Sequence, residues 1–216
     1  MTATAETRPT DDLAPPDWYD VAGPVGAPVI VFVHGTRLAR GAWSAQVAGL
    51  SDTYRTVAID LPGHGTLAAD PFSLDAAADR VAAAIEAVAG DRGAIVCGLS
   101  LGGYVAMVLA ARSPERVRGL VLAGATAEPT GLRVRAYLAL AWVMDTFDGP
   151  GLDAINRWFF RTRYAPSIAE PILAGGFWSI GGASALRALA GERFIPRLAA
   201  YPGPVLILNG EYDLPF

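Results

Sequence analysis

The segment Gly98-Leu99-Ser100-Leu101-Gly102 sets a serine between two glycines, directly after an apolar run at 94–97 and directly before a helical pattern. A hydroxyl is a weak nucleophile at neutral pH, and it becomes useful when the backbone presents it and a base takes its proton. A strand that turns sharply into a helix makes that presentation. Glycines two positions to either side are then required, because a Cβ there would collide with neighbouring backbone. With 24 glycines in 216 residues, chance alone produces the pattern in about one such sequence in ten. The strand-turn-helix setting is what makes Ser100 a candidate nucleophile.

Short runs rich in Val, Ile and Leu recur at 28–33, 55–59, 94–97, 119–123 and 205–208, with amphipathic helical patterns between them. That alternation predicts βαβ units and a mostly parallel sheet. None of the runs alternates polar with apolar residues, so helices are expected on both faces. The clearest helix spans 74–89, with Ser73 as its N-cap, Asp75 in its first turn, and Leu74, Ala78, Val81, Ile85 and Val88 in one stripe. A second begins near Trp43. A third follows Ser100 and ends before Ser113-Pro114, since proline disfavours helical geometry in the residue before it. From 127 to 199 the alternation stops, and so long an interval between two strands predicts an inserted helical unit. Its aromatic residues, among them Trp142, Phe147, Trp158, Phe159, Phe160, Tyr164, Phe177 and Trp178, read as the insertion's own core or as the lining of an apolar pocket.

Composition removes several classes of function. The chain is 52% hydrophobic and 18% charged, as expected of a globular protein. Lys and Arg number 17 against 21 Asp and Glu, so no basic face exists for a phosphate backbone and nucleic acid is not an expected partner. One cysteine, Cys97, makes no internal disulfide, and with two histidines the chain assembles no Cys/His zinc site. A reducing, cytoplasmic compartment and an empty metal assignment follow. Residues 1–16 lack the order of a secretory signal and read as a disordered tail. The uncharged stretch 93–111 approaches the ~20 residues that span a bilayer, but Gly98, Ser100, Gly102 and Gly103 interrupt it, so no membrane partner is expected.

At this point the sequence resembles the α/β-hydrolase family over nearly its whole length. Val33-His34-Gly35-Thr36 resembles the family's H-G-x oxyanion loop, and Asp60-Leu61-Pro62-Gly63-His64-Gly65 its D-x-P-G-x-G turn. Residues 98–102 stand where the family has its elbow, 116–125 resemble the following strand, and 205–213 (V-L-I-L-N-G-E-Y-D) resemble the strand before the acid. The resemblance implies an α/β fold, with a mostly parallel sheet built from 17–126 and 200–216 and a helical cap at 127–199. It also implies Ser100 as nucleophile, the N–H groups of Thr36 and Leu101 as oxyanion hole, and Asp213 as the acid that orients the base. His34, Leu99, Trp142 and Trp158 are expected to line the substrate pocket. The implied function is that of a cofactor-free serine hydrolase cleaving a small-molecule ester, thioester or lactone through an acyl-enzyme. Perhydrolase and C–C hydrolase chemistry stay open, whereas serine at 100 disfavours the branches with a carboxylate nucleophile.

The base is missing from this pattern. The family supplies a histidine after one further strand, and the sequence stops three residues past Asp213, leaving His34 and His64, each with a simpler reading as a structural side chain. The expectation is therefore a C-terminally incomplete polypeptide, lacking its last strand and helix and weak as a hydrolase. The alternative is a non-catalytic binding protein on the same fold. Among other candidates, Cys97 reads as a small buried hydrophobe rather than a catalytic thiol, and Asp60 as a loop-ordering acid. Glu128 is a second position for the triad acid. Arg157, Arg161 and Arg163 read as a solvated helix face, or as a sign of an anionic substrate if one turns into the pocket.

Overall fold

The computed structural model describes residues 16–211. The apolar runs form β2 (Val29–Val33), β3 (Arg55–Ile59), β4 (Ala94–Leu99), β5 (Val117–Ala123) and β6 (Val205–Leu208), joined by a short β1 (Tyr19–Ala22) that the hydropathy pattern did not reveal. The sheet order is β1-β3-β2-β4-β5-β6, and every pairing is parallel except β1 with β3. In register, Val33 faces both Ile59 and Gly98, and Leu99 faces Ala123, so the carboxyl ends of β2, β3, β4 and β5 finish along one edge. In parallel α/β sheets that edge is where ligands bind.

Helix α1 (Ser44–Leu50) follows β2, α2 (Leu74–Ala89) follows β3, and α3 (Leu101–Arg112) follows β4. The Ser73 hydroxyl accepts the Ala76 N–H at 3.0 Å, as the capping pattern predicts. Helix α2 buries Ala77, Ala78, Val81, Ala84 and Ile85 against the sheet. Residues 101–110 of α3 are buried on every side, which explains why the sequence there has no polar stripe.

Between β5 and β6 lie only helices: α4 (Arg133–Thr146), α5 (Pro150–Arg163), α6 (Pro166–Gly175), α7 (Ser179–Leu189) and α8 (Ile195–Ala200). Ala183, Ala185, Leu186 and Leu189 of α7, with Phe194 and Tyr201, join the main core rather than a separate one. The aromatic residues divide. Phe160 stacks on Phe177 at 5.7 Å and on Tyr164 at 5.6 Å, whereas Trp142, Phe147 and Trp158 are 60%, 58% and 67% exposed and form no core of the insertion.

Helices lie on both faces of the sheet, as expected, but they cover the two faces unequally. Helices α2 and α3 cover one side, while α1 covers part of the other, burying Phe32 and Trp43 with ring centroids 5.0 Å apart. Beyond α1, the side chains of Ile95, Cys97, Leu99, Val121, Ala123 and Leu208 line an open apolar cleft of about 600 Å³. All four residues of β6 are exposed, and β6 is the outer strand among the described residues. An apolar edge of this kind recruits another strand. These 216 residues are therefore expected to self-associate, and light scattering after size exclusion checks this; Ile207→Lys should shift the distribution toward monomer, and a monodisperse wild-type monomer with a sharp melt would contradict it.

Candidate functional site

Ser100 occupies the turn between β4 and α3 with φ of 49°, one of two non-glycine residues with positive φ among those described. Bulky residues adopt this region only when the surroundings over-determine it. Here the Ser100 N–H donates to the Ala123 carbonyl at 2.7 Å, and the Ser100 carbonyl accepts the Gly103 N–H at 2.9 Å. The two glycines of the motif have steric reasons. A Cβ on Gly98 would lie 2.3 Å from the Gly102 carbonyl, and one on Gly102 would lie 2.2 Å from the Val33 carbonyl oxygen. Gly98 thus lets β4 fold tightly onto the start of α3, and Gly102 lets α3 approach the end of β2, which brings the turn after His34 against the turn that carries Ser100. Ser100 itself is half-buried.

The neighbouring turn spans residues 35–38, closed by the Leu38 N–H donating to the Gly35 carbonyl at 3.1 Å. Its own bond uses Leu38 and leaves out the Thr36 N–H. Leu101 opens α3, and an N–H in a first helical turn has no intrahelical acceptor. Both amides that the sequence singles out are thus backbone donors unclaimed by secondary structure. Thr36 and Leu99 are half-buried, and Leu101 is fully buried.

Both histidines are bonded to the backbone, although the buried Nε2 of His64 has no hydrogen-bond partner among the described residues. The His34 Nδ1–H donates to the Gly35 carbonyl at 2.9 Å, and Nε2 accepts the Leu61 N–H at 3.1 Å, so a neutral ring is fully used. The His64 Nδ1–H donates to the Pro62 carbonyl at 2.9 Å, and its ring stands 5.0 Å from that of His34. Both are buried. Burial, with the neighbouring His64 ring second, pushes His34 down to about 3, and burial likewise pushes His64 below its ordinary value. His34 ties the end of β2 to the loop after β3 and lies too deep to line a pocket.

The other acids and the thiol have structural tasks. Asp60 is buried and accepts from Arg40 Nη1 at 2.5 Å, the Arg40 N–H at 2.8 Å and the Thr66 N–H at 3.0 Å, which fits the loop-ordering reading. Glu128 accepts the N–H groups of Phe194 and Ile195 at the start of α8, so its carboxylate is committed to a helix end. Cys97 lines the apolar cleft, and burial pushes its thiol up to about 11, away from nucleophilic use. Trp142 and Trp158 are the most exposed of the expected pocket residues. The acid expected at Asp213 lies outside the described residues. Among the described residues no cluster of His, Cys, Asp or Glu has the makings of a metal site, and no single helix is long and apolar enough to cross a membrane.

Sequence reasoning missed Arg37 and Arg40. Arg40 is the counter-ion of Asp60, and Arg37 follows Thr36 with φ of 66° and its side chain under the helical insertion. The signal for Arg37 was its place directly after His34-Gly35-Thr36; for Arg40 there was none, since its partner stands 20 positions away.

A mostly parallel sheet whose central strand ends in a strained serine turn before a buried helix defines the class of the nucleophile-elbow hydrolase folds. A family model described as the alpha/beta hydrolase family matches residues 30–215, and the chain belongs to that family. Among curated relatives, it is 41% identical over 144 residues to a pimeloyl-[acyl-carrier protein] methyl ester esterase of Neisseria meningitidis, covering 65% of this chain but only 41% of that protein. It is 32% identical over 235 residues to a bifunctional esterase/perhydrolase of Acinetobacter calcoaceticus, covering 96% of this chain and 80% of that one. The enol-lactonase from Burkholderia xenovorans LB400 shares the fold with a TM-score of 0.74 at 24% identity, over 91% of this chain and 78% of the other.

Proposed function

We propose that the protein is a serine hydrolase of small acyl substrates, in which Ser100 attacks an ester-type carbonyl and the N–H groups of Thr36 and Leu101 receive the oxyanion. The observation that carries this reading is the strained, half-buried Ser100 turn, packed against the turn of Thr36. Attack forms an Oγ–C bond and moves charge onto the carbonyl oxygen, where two backbone donors stabilise it only once it is tetrahedral. Collapse expels the alcohol with a proton and leaves an acyl-serine, which water then hydrolyses to acid and free serine. Asp213 is assigned to orient the base. Names of relatives, an esterase and an esterase/perhydrolase, support the ester class without selecting a substrate.

Both histidines of the described residues are buried and bonded to the backbone, and neither is hydrogen-bonded to Ser100, which supports a reading in which they do not take its proton. These 216 residues alone are therefore expected to label at Ser100 with a fluorophosphonate slowly and to hydrolyse p-nitrophenyl esters poorly. Ser100→Ala should abolish both. Labelling that survives in Ser100→Ala would sink the assignment. The same engagement of the histidines favours the second reading, a binding protein that keeps the pocket without turnover; saturable binding of an ester with no Ser100-dependent acylation is its signature.

A further inference from the structure

We propose that Arg37 is a positioning residue through which the helical insertion sets the turn that presents the Thr36 N–H; this rests on the hydrolase reading above. Arg37 makes no contact with the reacting atoms in this assignment. It carries two costs that an ordinary loop residue would avoid. Its φ of 66° falls at the third position of the 35–38 turn, where glycine is the natural choice. Its Nη2 is buried with no hydrogen-bond partner among the described residues, the Asp153 carboxylate standing 4.0 Å away. Strain, and a buried guanidinium nitrogen that has a long ion pair but no hydrogen bond, mark a place held for something other than stability.

What holds it is a continuous segment of the insertion. The Trp178 N–H donates to the Arg37 carbonyl at 2.9 Å, Arg37 Nε donates to Ser179 Oγ at 3.2 Å, and the guanidinium lies 5.6 Å from the centroid of Phe177. One turn further on, Gly182 approaches so closely that a Cβ there would sit 2.6 Å from Arg37 Cγ and 3.1 Å from Thr36 Cγ2. The first turn of α7 thus rests on both central residues of the 35–38 turn. The carbonyl of Arg37 is fixed by Trp178 and its side chain by Phe177 and Ser179, and Gly182 packs on Thr36 Cγ2, so the conformation of the whole 35–38 turn, and with it the aim of the Thr36 N–H on the 35–36 peptide, is tied to where this segment sits. A shift of the insertion that lengthens these bonds would spoil the oxyanion donor without touching Ser100. An oxyanion donor acts by preorganisation, and its geometry contributes to the rate rather than to ground-state binding.

The test uses the full chain and two variants, Arg37→Ala and the milder Ser179→Ala, which removes only the acceptor of Nε. Single-turnover release of p-nitrophenol reports acylation of Ser100 for p-nitrophenyl acetate and for the p-nitrophenyl monoester of a dicarboxylic acid. Positioning is expected to lower the saturating acylation rate about tenfold in Arg37→Ala and less in Ser179→Ala, with half-saturating concentrations within about twofold for both esters. Added ethylguanidinium is expected to recover part of the Arg37→Ala loss. Amide exchange across residues 35–38 should quicken in both variants. A raised half-saturating concentration for the anionic ester alone, with the rate intact, would overturn the proposal in favour of a carboxylate anchor. If Ser100→Ala acylates as fast as wild type, the hydrolase reading fails instead, and unchanged exchange at 35–38 in both variants would independently dismiss the coupling.

Discussion

Asp60→Ala is expected to cost about 3–5 kcal/mol of folding stability, because it strips a buried counter-ion from a network that nothing else completes. The carboxylate is 1% exposed and accepts the Arg40 guanidinium, the Arg40 N–H, and the N–H and hydroxyl of Thr66. Arg40 is itself largely covered and also bonds Asp20 at 2.8 Å, so it retains one exposed partner after the substitution. The two backbone N–H groups have no second acceptor. The loss therefore comes less from the ion pair, whose desolvation offsets much of its attraction, than from buried donors left unmade. Urea unfolding at neutral pH measures it. Arg40→Ala should cost less, since the carboxylate then keeps the Thr66 donors, and the double variant should fall well short of the sum because the partners share one network. A loss under about 1 kcal/mol for Asp60→Ala would show that the loop reorganises and that Asp60 is dispensable to it.

The elements around Asp60 show which parts of the fold were legible and why. The run 55–59 ends in Val57, Ala58 and Ile59 and shows no polar alternation because it is buried from Thr56 onward, and it forms β3 at those bounds. Helix α2 matches its predicted span because Ser73 supplies a cap and the stripe repeats at helical spacing. The glycines at 98 and 102 were readable because only close backbone contact demands them in that pattern, and the contact is present. Strand β1 was not legible: four residues, one buried, one exposed and two half-buried, carry no period, and their pairing with β3 is decided by tertiary contact. The exposed side of the sheet was not legible either, since β6 reads as apolar whether or not anything covers it. Among candidate site residues, the placing of Ser100, Thr36 and Leu101 in adjoining turns was legible because it rests on backbone position, which the glycines around them fix. Trp142 and Trp158 could not, because which way an aromatic side chain of an amphipathic helix turns depends on neighbours far away in sequence. Arg37 escaped for the same reason, its partners lying at 153 and 177–179.

Acid should unfold the protein earlier than its surface charges alone would, and the two histidines fix the direction. In the folded state burial holds His34 down to about 3 and His64 below its ordinary value, against about 6.5 for each in an unfolded chain. Above pH ~6.5 both rings are neutral in both states and stability is indifferent to them. As pH falls below that value the unfolded chain takes up protons that the folded one refuses, so the unfolded state gains at up to about 1.4 kcal/mol per pH unit for each ring. By pH 5 this amounts to about 2 kcal/mol for His34 alone, with His64 acting in the same sense. The structural reason is plain in the hydrogen bonds. His34 Nε2 must remain unprotonated to accept the Leu61 N–H, and a charged His34 would face the His64 ring at 5.0 Å. Urea midpoints at pH 7.5 and pH 5 give the difference, and the contribution of His34 is isolated by repeating both in His34→Asn. That variant should be less stable at pH 7.5, through the lost tie to Leu61, yet lose about 2 kcal/mol less than wild type between the two pH values. Parallel losses in the two proteins would mean that His34 accepts a proton in the folded state, and hence that its ring is free enough to reconsider as the base for Ser100.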